Sequence, residues 1–522
     1  MCSLSGFPDP PAKGLTTLYE QHGHLHSGTE QEWANFGQQL TTYRCISVAR
    51  ETVRSSVSSD STAPPFLLQH ESIWRQAVNS WRDKGFIGFL EQLARYRETS
   101  PAWSLARFAA KSLMVGMNWF YSHGLIFPHL LLSGEALCQE YSLALDWGRG
   151  HVRAFAWHPQ TPKFAVASHG DLVRVYAPNV GIVPLLKHKS QRNITDMAWK
   201  PYCSSLLAVA CQDGVVLWQL DPMSLIGRPS SAYASLLSRR GHQPVTSVAW
   251  HPKGSLLASA SPADSSMLIW NVSTEECVPL CRLAGGGVCL LRWSPDGAHL
   301  LAAAPQSLFR VWDTQFWRCD RWSTFQGRCQ AACWSPDGAQ LLCAFSNSPA
   351  LYAVSFPKPL NPCLGDEEED SAWIPHSSAG SGSGLPVVDL AEVTLSALSG
   401  QPGNIKVGGT VQNMAWDKHG ERLAVSFRDH GQYVALFCTR TYPMLEVSPC
   451  GFISGPHGEH AQLLSFYNGF EGGSLLTVCW SNGVVSHVPL YYCPLSQEPT
   501  EKSFAASPFP LQRIIGSPLY SS

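Results

Sequence analysis

Short apolar runs with strand-like alternation recur along the later two-thirds of this chain. Each is closed by an aromatic residue and a turn. The phrases are Ala156-Trp157-His158-Pro159, Ala198-Trp199-Lys200-Pro201, Ala249-Trp250-His251-Pro252, Arg292-Trp293-Ser294-Pro295, Cys333-Trp334-Ser335-Pro336 and Ala415-Trp416-Asp417-Lys418. A worn seventh copy is Ser465-Phe466-Tyr467-Asn468-Gly469. The anchors Trp157, Trp199, Trp250, Trp293, Trp334, Trp416 and Phe466 follow one another at 42, 51, 43, 41, 82 and 50 residues. A period of about 40–45 residues is that of four-stranded propeller blades. The pattern therefore predicts an all-β, seven-bladed β-propeller over residues 147–493.

The third copy shows the logic of one blade. Residues 245–250 alternate as in a sheet buried on both faces, and Pro252 and Gly254 close the strand. Gly241-His242 opens the unit and Trp270-Asn271 ends it. These residues resemble a WD repeat. The resemblance implies one hydrogen-bonded chain through His242, Ser259, Asp264 and Trp270. A buried polar chain persists only when every member is satisfied, so the four are read as structural. The rival reading is a catalytic Ser-His-Asp set. It lacks the strained nucleophile turn that accompanies such a site. The other copies are worn: Gln306 stands where Asp is expected, and Tyr176 replaces the closing Trp.

The interval of 82 residues reads as one blade carrying an insertion at 357–386. That stretch holds the acidic run Asp366-Glu367-Glu368-Glu369-Asp370 and the tract Gly380-Ser381-Gly382-Ser383-Gly384. Such sequence buries too little apolar surface to offset its ordering entropy, so a disordered rim loop is expected. The last blade offers only three strands, at 462–466, 474–480 and 484–490. An open ring would leave a raw sheet edge. Residues 15–19 are the expected closing strand, within an N-terminal extension (1–65) that is otherwise partly disordered. Residues 494–522 read as a flexible tail.

Residues 66–146 change to a helical period. Trp74, Ala77, Val78 and Trp81 share one face, and Ser100-Pro101 is a start signal. The following stripe includes Trp103, Leu113, Met117 and Phe120, the candidate partner-docking residues. The helices are expected to pack beside the propeller, on its side or face, with part of the stripe free to dock onto a partner. Arg107, Lys111 and His123 interrupt the segment. It thus falls short of the ~20 apolar residues of a spanning helix. Ser133 is read as the cap of a last helix that buries Leu137, Tyr141 and Leu145.

Composition narrows the chemistry. A net charge of −2 gives no electrostatic footprint for nucleic acid. The 17 Cys are scattered without a Cys-x-x-Cys pair, which points to reduced thiols in the cytosol or nucleus rather than zinc ligands. His22, His24 and His26 would share a face in a strand, but no further ligand completes a metal shell, and a mobile tail is the expectation. Gly285-Gly286-Gly287 lacks a Gly-Lys-Ser/Thr ending and reads as a turn rather than a phosphate cradle. The N-terminus has no basic head or apolar core of a secretory signal. No catalytic residue, cofactor, metal or small-molecule substrate is expected.

A closer resemblance rests on peptides outside the repeat signature. They include Met1-Cys2-Ser3-Leu4, Leu18-Tyr19-Glu20, Phe127-Pro128-His129-Leu130, Leu207-Ala208-Val209-Ala210-Cys211-Gln212, Gly327-Arg328-Cys329-Gln330 and Val488-Pro489-Leu490-Tyr491. Through them the chain resembles the Aladin family of WD-repeat nucleoporins. The loop around 366–370 and the tail after Cys493 carry no such likeness. The resemblance implies a non-enzymatic scaffold of the nuclear pore complex, held at the nuclear envelope by a transmembrane nucleoporin beside other nucleoporins. It also implies support of protein and mRNA transport, a cytoplasmic pool and a role at the mitotic spindle poles. The competing expectation is a cytosolic adaptor in signalling or in a ubiquitin-ligase complex.

Overall fold

Each aromatic phrase ends the innermost strand of a sheet. The first strands of blades 1 to 7 are Val152–Trp157, Asp196–Trp199, Ser247–Trp250, Leu290–Trp293, Cys329–Trp334, Val411–Trp416 and Ala461–Tyr467. In the computed structural model each touches the next and the seventh touches the first, so the ring closes with seven blades. The structure describes residues 2–12, 14–40, 42–49, 108, 111–113, 128–178, 181–221, 227–281, 286–356, 384–395 and 405–492. Blades 1 to 6 are antiparallel four-stranded meanders, and blade 5 takes its fourth strand, Leu385–Asp389, from beyond the insertion.

The core lies in the seams. One apolar cluster fills each of the seven junctions between neighbouring blades. Both faces of every sheet are covered by the next blade, which is why the strands read as apolar runs, as in Leu206–Cys211, buried throughout.

Residues 2–48 are built into the ring. Cys2–Ser3 lies parallel to Leu385–Asp389 on blade 5. Leu4 and Phe7 then enter the seam between blades 5 and 6, where Phe7 meets Phe437 and Phe452 with ring centroids 4.9 and 4.7 Å away. Thr16–Gln21 runs parallel to Val484–Tyr491, pairing Glu20 with Leu490, and thus lies as the fourth strand of blade 7. His24–Gly28 folds back on it as a hairpin. The histidine-bearing stretch is therefore a hairpin rather than a mobile tail, and His26 stacks on Tyr19. A helix, Glu30–Gln39, follows with a reciprocal Thr29/Glu32 capping box. Ile46–Ser47 returns to pair with Val484 and Val485.

Of the expected helical segment, 128–146 is described together with 108 and 111–113. Ser133 caps the helix Gly134–Tyr141 by accepting from the Ala136 amide, and Leu137 and Cys138 are buried. The described part, from residue 128 on, runs across one face, where its side chains and backbone meet polar groups presented by the loops.

Candidate functional site: the seams and faces of the ring

The anchor tryptophans staple successive blades. Trp199 Nε1 donates to the Ala156 carbonyl (3.2 Å), Trp250 to Ala198 (3.1 Å), Trp293 to Ala249 (3.1 Å) and Trp334 to Arg292 (3.0 Å). In every case the acceptor is the residue just before the preceding blade's anchor. Trp157 reaches back to the Thr477 hydroxyl of blade 7 at 2.8 Å. The pattern then stops. Trp416 turns to Thr439 of its own blade (3.0 Å), and Phe466 has no N–H to give. The two seams without an indole staple, 5–6 and 6–7, are those spanned by residues 2–21.

At the second of these seams, Arg422 of blade 6 binds Glu20 of the closing strand. Both side chains are buried, Glu20 fully. The guanidinium also stacks over Tyr492 at 4.7 Å, whose hydroxyl donates to Asp417 at 2.8 Å.

Blade 3 carries the complete polar chain. His242 Nδ1 meets Asp264 Oδ2 at 2.8 Å, His242 Nε2 meets Ser259 Oγ at 3.0 Å, and Trp270 Nε1 donates to the same hydroxyl at 2.9 Å. The pair to His242 helps hold the Asp264 carboxyl below its usual value, against the opposing effect of its burial. His242 and Ser259 are buried, and the serine hydroxyl is held between Trp270 and His242, so the arrangement locks a loop to a strand.

Strand register shows how far the worn blades depart from the WD pattern of blade 3. The residue two beyond the anchor's partner on the second strand is Val166, Val209, Ser259, Ala302, Cys343, Val425 and Val478 in blades 1 to 7. Only Ser259 offers the hydroxyl that the chain needs. Blade 2 substitutes a glutamine: Gln191 accepts from Trp218 Nε1 (2.9 Å) and donates to the Leu186 carbonyl (3.2 Å).

The two faces differ. On the face where the inner strands begin, residues 128–151 cross from blade to blade. His129 Nε2 contacts the Pro262 and Gly286 carbonyls at 3.1 and 2.6 Å. Gly287 makes room for this: at φ +123°, a Cβ there would strike the Pro262 carbonyl. Gly286 and Gly287 thus form part of a seat for the crossing segment, which the sequence alone did not show, while Gly285 lies outside the described residues. Further on, Arg328 of blade 5 binds Glu140 (2.9 Å) and covers Tyr141. Gln412 of blade 6 donates to the Leu143 carbonyl (2.9 Å), and Trp147 Nε1 donates to Ile194 before blade 2 (2.7 Å). Arg153 lies over the Trp147 ring at 4.0 Å and pairs with Asp171 at 2.6 Å.

The opposite face, where the inner strands end, presents Tyr202, Phe316, Tyr442 and Met444 as exposed side chains on loops of blades 2, 4 and 6. Of the expected docking stripe, Leu113 is half exposed, while Trp103, Met117 and Phe120 lie outside the described residues. At the start of the innermost strand of blade 2 stands a partly buried carboxylate, Asp196. Its oxygens accept from the Met197 amide, the Val248 amide and Ser247 Oγ at 2.9, 3.2 and 3.1 Å. Burial pushes its carboxyl upward, opposed by nearby Arg292. It ties blade 2 to blade 3. Among the described residues no cluster of three or more His, Cys, Asp or Glu could hold a metal ion. No helix among them is long and apolar enough to cross a membrane.

Comparison with known proteins decides which propeller this is. The family model described as the Aladin seven-bladed propeller matches residues 133–491. The chain belongs to the Aladin family. The matched range begins at Ser133, the cap of the crossing helix, so the family unit includes the crossing segment from that residue on. The Arabidopsis thaliana protein named Aladin is 33% identical over 334 residues, covering 59% of this chain and 68% of that protein. The nuclear distribution protein PAC1 of Arthroderma benhamiae is 26% identical over 181 residues, 33% of this chain and 37% of its own length. A chain of a crystal structure titled mitotic checkpoint complex superposes with a TM-score of 0.46 at 14% identity, over 66% of this chain and 90% of that one. The ring is thus an Aladin-family scaffold propeller.

Proposed function

We propose that the chain is a non-enzymatic scaffold nucleoporin of the nuclear pore complex. Membership of the Aladin family is the observation that carries this reading. The fold supports it. A ring whose seams are stapled by indoles and an internal strap is a rigid platform, and such platforms leave specificity to surface loops. Residues 128–151 cross one face, and in this reading partners meet the loops of the other face and the rim. In this reading a transmembrane nucleoporin anchors the ring peripherally at the nuclear envelope, with other nucleoporins beside it. The anchored ring supports passage of proteins and mRNA and has a further place at the mitotic spindle poles.

Fluorescently tagged chain expressed in cells tests the reading. A punctate nuclear rim that disperses when the membrane anchor is depleted is expected. Diffuse cytosolic signal would overturn it in favour of a cytosolic adaptor.

A further inference from the structure

Blades 1 to 3 present a cationic arc on the face where the inner strands end. The loops that follow their innermost strands, at 158–163, 200–205 and 251–255, carry Lys163, Lys200 and Lys253 and hold no Asp or Glu. The corresponding loops of blades 4 to 7 all hold a carboxylate, at Asp296, Asp337, Asp417 and Glu471. The three basic loops are in contact. Lys163 Nζ donates to the Ser204 carbonyl, and the Tyr202 amide donates to Gln160 Oε1 at 3.2 Å. Gly254 lets the third loop close on the second, since a Cβ there would come 2.7 Å from the Pro201 carbonyl and 3.6 Å from Lys200 Cε. Two ammonium groups lie over anchor indoles, Lys163 4.5 Å from the Trp199 ring and Lys200 5.7 Å from that of Trp250. None of the three lysines is paired with a carboxylate of the described residues. On the middle loop Tyr202 is 80% exposed at a φ of +57°, a backbone region that bulky residues rarely enter. Strain of this kind collects at binding sites. We propose that the arc is a docking site for an acidic peptide of a partner protein, with carboxylates on Lys163, Lys200 and Lys253 and an apolar side chain against Tyr202.

Charge complementarity selects this occupant. An anion brought to the arc meets three cations and displaces no carboxylate already seated there. Burial pulls the Lys163 ammonium down to about 8, opposed by nearby Cys203, so an incoming carboxylate supplies a compensation that the fold does not. The contacts with Trp199 and Trp250 hold two of the ammonium groups in place, which lowers the ordering cost of binding. Successive loops set out one cation each, as an extended peptide with spaced carboxylates requires. Tyr202 adds an exposed ring among them, a side chain type favoured at protein interfaces. The carboxylates Asp221 and Glu275 of blades 2 and 3 stand on the loops between third and fourth strands, so acid bounds the arc on its outer side. The inference rests on the scaffold reading above, in which this face is the one left to partners.

The test is fluorescence anisotropy of the full-length protein with short labelled peptides that alternate Asp or Glu with Leu, Phe or Tyr, and with their Asn and Gln counterparts. The acidic peptides should bind about tenfold more tightly, by a margin that shrinks as salt rises. Lys200→Gln/Lys253→Gln should remove most of that preference. Tyr202→Gly should weaken binding several-fold while keeping or raising the melting temperature, because glycine adopts the left-handed backbone without strain. Lys418→Gln, on the corresponding loop of blade 6, should leave binding unchanged. Equal binding of acidic and amide peptides would overturn the proposal, as would an acidic preference that survives the double lysine variant. Sedimentation with phosphatidylserine vesicles that this variant abolishes, without any peptide binding, would assign the arc to a membrane surface and overturn it too. These outcomes are read in solution and do not depend on nuclear-rim localisation, so either reading can fail alone.

Discussion

Arg422 and Glu20, 402 residues apart in sequence, form a buried bidentate ion pair, with Nε 2.9 Å from Oε2 and Nη2 2.6 Å from Oε1. The pair binds the strand that completes blade 7 to the second strand of blade 6. Breaking a buried pair from one side leaves an uncompensated charge and costs about 3–5 kcal/mol. Glu20→Ala should lower stability by that order, measured by urea unfolding. The double variant Glu20→Leu/Arg422→Met should lose clearly less than Glu20→Ala alone, because it strands no charge. Equal losses would remove the pair from the account.

The indole staples make a second prediction. Trp250→Phe keeps most of the buried ring but leaves the Ala198 carbonyl without its indole donor. The carbonyl is partly buried and keeps its strand pairing to Ala208, so the lost bond costs about 0.5–1.5 kcal/mol. A chemical-denaturation midpoint unchanged within error would show that the staple contributes nothing.

Blade 3 should be sensitive to one hydroxyl. Ser259→Ala strips a partner from both His242 and Trp270, with an expected cost of about 2 kcal/mol or more. Val209→Ser at the matching register of blade 2 should not stabilise, because Gln191 already satisfies Trp218. Differential scanning calorimetry of the two variants checks both statements.

A pH dependence follows from His487. Burial pushes its imidazole from the ordinary 6.5 to about 4, offset in part by the backbone of Arg44. Its Nδ1 lies 2.9 Å from the Thr477 hydroxyl, which accepts from Trp157 at the seam between blades 7 and 1. Between pH 6.5 and 4 the unfolded chain binds the proton and the folded chain does not. Stability therefore falls as pH drops through that window, by up to about 3 kcal/mol at its lower end. His487→Gln should flatten this limb in urea titrations at pH 7, 5.5 and 4.5. An equally steep limb in the variant would place the dependence on other groups.

The ring was legible in the sequence because its anchors must recur. Every inner strand ends against the previous blade, so bulky aromatics return at blade spacing even where the polar chain has decayed. The decay itself was less readable. Val166 or Cys343 can replace a serine without disturbing strand alternation, and only register reveals the loss. The N-terminus was readable in part. The missing edge of blade 7 pointed to a closing strand at 15–19, and Thr16–Gln21 lies there, whereas Cys2–Ser3 on blade 5 is two residues long and leaves no local period. The Thr29/Glu32 capping box was a local signal for the Glu30–Gln39 helix and could have been read. The seat of His129 on Pro262 and Gly286 was beyond reach, because acceptor carbonyls have no sequence signature.

The central claim is that residues 2–28 are a structural member of the propeller, closing the two seams that the tryptophans leave unstapled. Thermal unfolding of the full chain and of a chain beginning at residue 29, followed by intrinsic tryptophan fluorescence, tests it most directly. The account predicts one cooperative transition in the full chain and a transition at least several degrees lower in the shortened one. Superimposable melting curves would contradict it.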